Sequence, residues 1–290
     1  LVNVFETGSA RGNYGDVTVI QGDAGHLTYG RSQTTLASGG LHALISAYCL
    51  AAGATEAAAL EPYLARLAAR DTTLDGDAAL KSALRRAGSD PVMQVAQDAY
   101  FDDHYWGPAL RAAVALGIEC SLGVAVVYDS HIHGSWALVR DKTIARHGTP
   151  STIGEHVWIA RYVETRRAWL GNHAITVLHK SVRRMDAFMG LIDAGNWDLG
   201  LPFTVRGVLI SEAVLDGEAP PPTLMLGARG DEVRRLQRML IEMGWTLEDD
   251  GYFGPATLAA VREYQERRGL KADGWVGAAT WAALDSEVLG

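Results

Sequence analysis

The sequence predicts a mainly α protein with one small β element near its N-terminus and a separate mini-domain at its C-terminus. Three observations carry this. Helix-period apolar patterning rich in Ala and Leu recurs from Gly40 to Ala194. One stretch, Val17-Thr-Val-Ile20 and Leu27-Thr-Tyr29 around a Gly-containing turn, is β-branched and short. Three consecutive prolines, Pro220 to Pro222, interrupt the chain once.

Taken in order, Val4-Phe5-Glu6-Thr7-Gly8 places a carboxylate at the end of an apolar helical run. The hairpin follows, with Gln21-Gly-Asp-Ala-Gly-His26 at its turn. Gly40 to Ala52, Thr55 to Arg70, Pro91 to Tyr100, Gly107 to Gly117, Ser121 to His131, Ile153 to Gly171 and Ala174 to Ala194 then read as helices. Asp90 before Pro91 is a helix entry: a side chain that caps the first amides, then a residue that lacks an amide to cap. The acidic run Asp216-Gly-Glu-Ala-Pro-Pro-Pro-Thr223 is a stiff spacer. The expected organisation is therefore a domain over 1–215, a linker over 216–223 and a small domain over 224–290.

Composition narrows the function classes. With 48% hydrophobic and 21% charged residues, the 290-residue chain has material for a sizeable core. The net charge is −8, and residues 216–290 hold 8 basic against 13 acidic side chains. A chain without basic excess is a poor partner for nucleic acid. All nine His precede the spacer, as two modules of different character would give. The most apolar stretch, Gly117 to Val127, is too short to span a bilayer. The chain begins at Leu1 with no visible signal peptide. A lost upstream segment is expected, and the export route stays open. Cys49 and Cys120 read as two small apolar residues, or as one disulfide if the protein is exported. His131-Ile-His133 has no third ligand at metal spacing, so neither a metal nor a cofactor is expected.

In the C-terminal module, Val233, Leu236, Leu240 and Met243 share one helical face, and Ala260, Val261 and Tyr264 share another. The Asp250-Gly-Tyr-Phe-Gly254 and Asp273-Gly274 turns need glycine. With Leu226-Gly227, Gln237, Gly244, Gln265, Gly269, Val276-Gly277, Thr280 and Trp281, the segment resembles the three-helix peptidoglycan-binding type 1 family. Leu236 and Trp281 are expected in its core. The resemblance implies that bacterial cell wall is the partner of residues 224–290.

Cleaving a glycosidic bond takes two carboxyl groups on opposite sides of it. One is protonated and donates to the leaving oxygen; the other is ionised and activates water or stabilises the positive transition state. Glu6 on a helix shoulder and Asp23 on a facing hairpin turn would supply two such groups in different environments. Several segments resemble the family-46 chitosanases, inverting β-1,4-glycosidases of lysozyme-like fold. They are the Glu6 segment, the Gly22-Asp23 turn with Thr28, and Gln94 to Pro108 with Phe101-Asp102 and Tyr105-Trp106. Tyr128-Asp129 with His133-Gly134, Tyr162 to Trp169 with Arg166-Arg167, and Arg184-Met-Asp186 with Ala194 to Leu199 and Pro202 follow in order.

The resemblance implies a two-lobed, lysozyme-like catalytic domain with a small β-hairpin region, followed by the three-helix domain. It implies Glu6 as acid, Asp23 as base, and Thr28 as a holder of the attacking water. It also implies a supporting network of Asp129, Arg166 and Arg184 behind Glu6. Tyr29, Arg31, Asp102, Tyr105 and His133 are expected to bind substrate. Tyr105, Trp106, Trp136, Trp158 and Trp197 are candidate stacking rings, most of them with a better claim to the core.

The resemblance implies an amino-sugar polysaccharide as the substrate. Thr165 to Met185 contains no Asp or Glu, and Ser38-Gly-Gly-Leu-His42 lacks an acid. A cleft poor in carboxylates favours uncharged N-acetylated sugars, so peptidoglycan strands are expected before cationic chitosan. Asp98, Asp102 and Asp103 are the acids that could restore affinity for amines. A monomer acting outside the cell or in its wall is expected.

Overall fold

The computed structural model describes residues 4–5, 10–20, 22–31 and 33–288. The chain is mainly helical with small antiparallel strand pairs. It forms two compact units, residues 12–166 and residues 1–11 with 167–290. The packing division thus falls at 11/12 and inside the helix Glu155–Gly171, whereas the proline spacer lies within the second unit.

In the first unit the expected hairpin is present and larger than the sequence suggested. β1 (Val17–Thr18) pairs with β2 (Thr28–Tyr29), and β2 also pairs with β3 (Thr34–Thr35), all antiparallel. The third strand is two threonines in a polar loop, which gives no alternating pattern to read. Tyr29, Leu27 and Leu36 bury into one apolar cluster with Leu41, Leu44, Ile45 and Tyr48 of the helix Gly40–Leu50. That burial fixes the sheet to the helical core.

The helix Pro91–Phe101 starts as expected at Asp90, whose Oδ1 accepts from Val92 N at 2.9 Å. The same carboxylate does more. Its Oδ2 accepts from Tyr48 Oη at 2.6 Å, Thr55 N at 2.8 Å and Thr55 Oγ1 at 2.7 Å. Led by the Tyr48 hydroxyl, these donors hold the buried Asp90 carboxyl well below the usual carboxylate range. The chain continues through a π-helical turn, Asp102–Trp106, into the helix Gly107–Ala115. Thr55 to Arg70 is a broken series, Ala57–Leu60, Glu61–Tyr63 and Leu64–Ala68, with Pro62 in its middle segment. Ala78–Ala87 and Trp136–His147 are helices that periodicity did not single out. Ala78–Ala87 is capped by Asp77, whose side chain accepts from Leu80 N.

Cys49 and Cys120 form no disulfide. No helix among the described residues is long and apolar enough to cross a membrane.

In the second unit, Val182–Asp193 is helical and is followed by a hairpin unread in the sequence, β4 (Phe203–Val205) with β5 (Val208–Ile210). Leu209 of β5 and Val214 of the short helix Glu212–Asp216 join one apolar cluster with Leu224, Val233, Leu236, Phe253, Tyr264 and Trp281. Segments that precede the proline spacer therefore share a core with segments that follow it. The end of the spacer is also fixed, because Trp281 Nε1 donates to Pro222 O at 3.0 Å.

The three helices of the C-terminal module are Asp231–Glu242, Pro255–Arg267 and Ala278–Val288. Leu236 and Trp281 are fully buried, as expected of core residues. The module also contains an internal repeat. Asp250-Gly-Tyr-Phe-Gly-Pro-Ala-Thr257 and Asp273-Gly-Trp-Val-Gly-Ala-Ala-Thr280 form equivalent turns, each gripped by one buried glutamine. Gln237 accepts from Gly251 N at 2.9 Å and donates to Tyr252 O and Thr257 Oγ1. Gln265 accepts from Gly274 N at 2.9 Å and donates to Trp275 O and Thr280 Oγ1. Gly274 has φ +79°, and an added Cβ would lie 2.3 Å from Leu258 Cδ1. Glycine is required there by both backbone and space.

Candidate active site

Asp23 is exposed in the loop between β1 and β2, where its N–H donates to Ile20 O at 3.0 Å. Gly22, just before it, has φ +82°, a conformation that costs glycine little. The C-terminal flank of the loop is pinned from another segment. Asp75, in the 3-10 turn Thr72–Gly76, accepts from Leu27 N at 2.8 Å and contacts His26 Nδ1 at 2.8 Å. His26 itself has φ +59°, an uncommon backbone state for a residue with a side chain. A presented carboxylate on a loop held at its base is what general-base chemistry requires.

Thr28, five residues on, is nearly buried in β2 and its hydroxyl donates to His26 O at 3.0 Å. Tyr29 corrects the expectation. Expected at the substrate, it has no exposed surface and belongs to the core cluster. Alternation along a strand puts adjacent side chains on opposite faces, and Tyr29 takes the core face. Burial pushes its phenol well above the usual range.

Arg31 lies in a polar cluster built from three segments. Its Nη1 donates to Tyr14 Oη at 2.8 Å and Asp98 Oδ1 at 3.2 Å, and its guanidinium lies over the Tyr14 ring. Tyr14 Oη also donates to Asp98, at 2.8 Å to Oδ2. Buried Gln97 orients the segment by accepting from Arg31 N at 3.0 Å and donating to Tyr14 O at 2.8 Å. Gly30 has φ +79°, and a Cβ there would strike Gln97 Oε1 at 2.3 Å. Sequence reasoning missed Tyr14, Asp75 and Gln97. The signal available for Gln97 was an amide on the apolar face of an otherwise amphipathic helix.

Asp102 is exposed and Tyr105 half-buried in the π-helical turn Asp102–Trp106. Such turns widen a helix and recur at functional sites. Phe101, Tyr128 and Trp106 pack edge to face, with ring centroids 5.5 Å apart in both pairs, behind this turn. His133 is exposed at the end of the helix Ser121–Ile132. Trp136 and Trp158 are buried, which assigns them to the core and not to a sugar. Trp197 is half-buried.

Two residues of the expected network, Asp129 and Arg166, form an ion pair. Asp129 and Arg166 are buried, and Arg166 Nη1 donates to Asp129 Oδ2 at 2.6 Å and Ser130 Oγ at 2.8 Å. In the other unit, Arg184 is buried with its guanidinium 4.7 Å from the Phe5 ring centroid. Phe5 also packs edge to face on Phe188, and its carbonyl accepts from Arg206 Nη1 at 3.3 Å. Phe5 immediately precedes Glu6 in the chain; Glu6 itself lies outside the described residues.

Neither of two concavities has Asp23 in its lining. One, near 1000 Å³, is lined by Leu201, Pro202, Glu212, Arg234, Arg238 and Glu242 among others. The other, near 680 Å³, is lined mainly by Ala43, Ala47, Val92, Val95 and Tyr100. The first is a mixed-charge groove and the second a mainly apolar one. Among the described residues, no group of three His, Cys, Asp or Glu side chains at metal-binding distance includes Asp23.

Comparison with known proteins gives matches over both parts of the chain. Residues 1–203 match glycosyl hydrolase family 46, and residues 229–284 match the peptidoglycan binding domain family. A chitosanase of Bacillus subtilis is 28% identical over 222 residues, 71% of this chain and 79% of the relative. The zinc D-Ala-D-Ala carboxypeptidase of Streptomyces albus G is 47% identical over 62 residues, 20% of this chain and 24% of that protein. Among solved structures, a Gynuella sunshinyii family-46 chitosanase in complex with chitotetraose is 25% identical with TM-score 0.59, covering 72% of this chain and 93% of that one. A native Bacillus subtilis chitosanase shares the fold at TM-score 0.58 and 24% identity, covering 70% and 90%. The chain belongs to glycosyl hydrolase family 46 and is a glycoside hydrolase of amino-sugar polymers with a C-terminal peptidoglycan-binding domain.

Proposed function

We propose that the protein is an inverting endo-β-1,4-glycoside hydrolase that cuts peptidoglycan glycan strands. Glu6 donates a proton to the leaving oxygen. Asp23 takes one from the attacking water, and Thr28 helps hold that water. Asp129, Arg166 and Arg184 support the acid, with Arg31, Asp102, Tyr105 and His133 along the sugar path. The observation that supports this most is Asp23 itself, an exposed carboxylate on a loop whose base Asp75 pins. Inversion requires the two carboxyls to stand about 6.5–9.5 Å apart with substrate bound, leaving room for water.

Two features favour an N-acetylated substrate. Asp98, one of the acids able to bind a sugar amine, is engaged by Arg31 and Tyr14. Residues 229–284 match a peptidoglycan binding domain. Residues 224–290 then dock the enzyme on bacterial wall, the spacer 216–223 joins the domains 1–215 and 224–290, and the protein works as a monomer outside the cell or in its wall. A second reading, chitosan hydrolysis with a wall-docking domain, is favoured by the chitosanase relative that the chain covers over most of its length.

Reducing-end release from purified peptidoglycan and from chitosan of known acetylation, measured side by side, separates the two. Glu6→Gln and Asp23→Asn serve as controls. Product from peptidoglycan that both controls abolish is the expected result. Product from chitosan alone selects the second reading, and wild-type rates in either control overturn the catalytic assignment.

A further inference from the structure

In the unit 12–166, two helix starts meet, bringing together Cys120 and Glu155, 35 residues apart in sequence. Cys120 caps the helix Ser121–Ile132, and its Sγ accepts from Gly123 N at 3.3 Å. Glu155 opens the helix Glu155–Gly171, and its Oε1 accepts from Glu119 N and Cys120 N, both at 2.7 Å. His156 follows in the chain. Cys120 Sγ, a carboxylate oxygen of Glu155 and a ring nitrogen of His156 all lie within 4.8 Å of one another. Cys120 and Glu155 are half-buried and His156 is exposed, so the group is open to solvent.

We propose that Cys120, Glu155 and His156 bind a divalent transition-metal ion, zinc before others. Thiolate, imidazole and carboxylate form a mixed S, N, O set that suits a borderline-soft cation and is a poor site for calcium or magnesium. Metal–ligand bonds of about 2.0–2.3 Å put tetrahedral ligand atoms roughly 3.3–3.8 Å apart, so a side-chain shift of about 1 Å closes the site. The surroundings are those of anionic ligands. Gly123 N–H points at the sulfur, two amides hold one carboxylate oxygen, and the Cys120 thiol hydrogen-bonds to the same carboxylate, so the ion would take the place of the thiol proton. Outer-shell donors of this kind orient metal ligands and fix their charge state. The positive ends of both helices disfavour a cation, but they stabilise the thiolate and carboxylate that would hold it. Three protein ligands leave a fourth position for water. The sequence hid the group because its ligands have no common spacing, and only the packing of the two helix starts unites them.

The full-length protein, stripped with chelator, is titrated with zinc by calorimetry and with cobalt by absorption spectroscopy. Expected are one ion per chain, a near-ultraviolet thiolate-to-cobalt band, and a melting temperature that rises with added zinc. Cys120→Ser should abolish the band while keeping the helix cap, since Ser is itself a preferred capping residue. His156→Ala, at an exposed position, should weaken zinc binding at least about tenfold. Cys49→Ser should change nothing. Absence of stoichiometric binding, a cobalt band that survives Cys120→Ser, or parent-like zinc affinity in His156→Ala would each overturn the proposal.

Discussion

The unit 12–166 and the C-terminal module solve the same problem with different chemistry. Each must hold turns that the backbone alone would not keep. In the unit 12–166 most of the anchors are carboxylates, beside the one amide of Gln97: Asp75 at the base of the Asp23 loop, Asp90 between three segments, and Asp129 paired with Arg166. In the C-terminal module the buried anchors are neutral amides, Gln237 and Gln265, with Asp250 exposed and Asp273 half-buried beside them in the turns. A carboxylate accepts several donors at once and is strong while ionised; an amide pairs a donor with an acceptor and is indifferent to acid. In the first arrangement one anchor, Asp75, holds a loop that presents an exposed carboxylate, Asp23, and the second builds a scaffold.

The sharpest break between the two is function against stability. Asp23→Asn should lower kcat by about 10²–10⁴, the usual worth of a general base. It should leave unfolding within about 0.5 kcal/mol of the parent, because Asp23 is exposed. Steady-state rates and urea melts on one preparation check both. A stable protein with unchanged kcat would remove Asp23 from the mechanism.

Next in size is the ion pair. Asp129→Ala leaves Arg166 buried without its carboxylate, and breaking such a pair costs about 3–5 kcal/mol. The double variant Asp129→Leu with Arg166→Met should recover much of that loss in stability, since buried pairs seldom outperform apolar packing. If the double variant recovers stability but not activity, the pair serves the catalytic acid and not the fold. Full recovery of both would leave it no supporting role.

The neutral clamps should cost less. Gln237→Ala or Gln265→Ala strips a partner from a buried glycine amide, worth about 1–3 kcal/mol each. Similar losses in both would mean the repeats are energetically equivalent. Turnover on a soluble oligosaccharide should stay unchanged in both variants.

Legibility in the sequence followed the same division. The C-terminal module was readable almost residue by residue because its turns rest on local motifs, Asp-Gly and Phe-Gly, and on helices with one apolar face. Its repeat escaped notice because Gln237 and Gln265 stand at unequal distances from the turns they hold. In the unit 12–166 the β element, most helices and the Asp90 cap were legible, since each is set by near neighbours. The anchors of the candidate site were not. Asp75 lies 48 positions from the amide it pins, and Gln97 lies 66 from Arg31, so only the fold reveals them. Tyr29 was misread because a strand two residues long gives too little alternation to say which side chain faces the core.

The smallest effect bears on the carboxylate-against-amide contrast most directly. Four donors hold Asp90 as an anion, so its carboxyl titrates lower in the folded protein than in the unfolded chain. Its stabilisation is fully present above the unfolded value of about 4 and drains away as pH falls through the folded value. Asp90→Asn keeps a capping oxygen and removes the charge. At neutral pH it should be less stable by about 1–2 kcal/mol, the gap between charged and neutral hydrogen bonds. As the parent protonates Asp90 in acid, the two proteins should converge. The deficit of Gln265→Ala has only Asp273 beside it, a carboxyl lowered chiefly by the Trp275 amide and least by Gln265, and should change little over the same range. Urea melts of parent, Asp90→Asn and Gln265→Ala from neutral pH into acid test this, and a parallel decline of both deficits would show that the two regions are anchored alike.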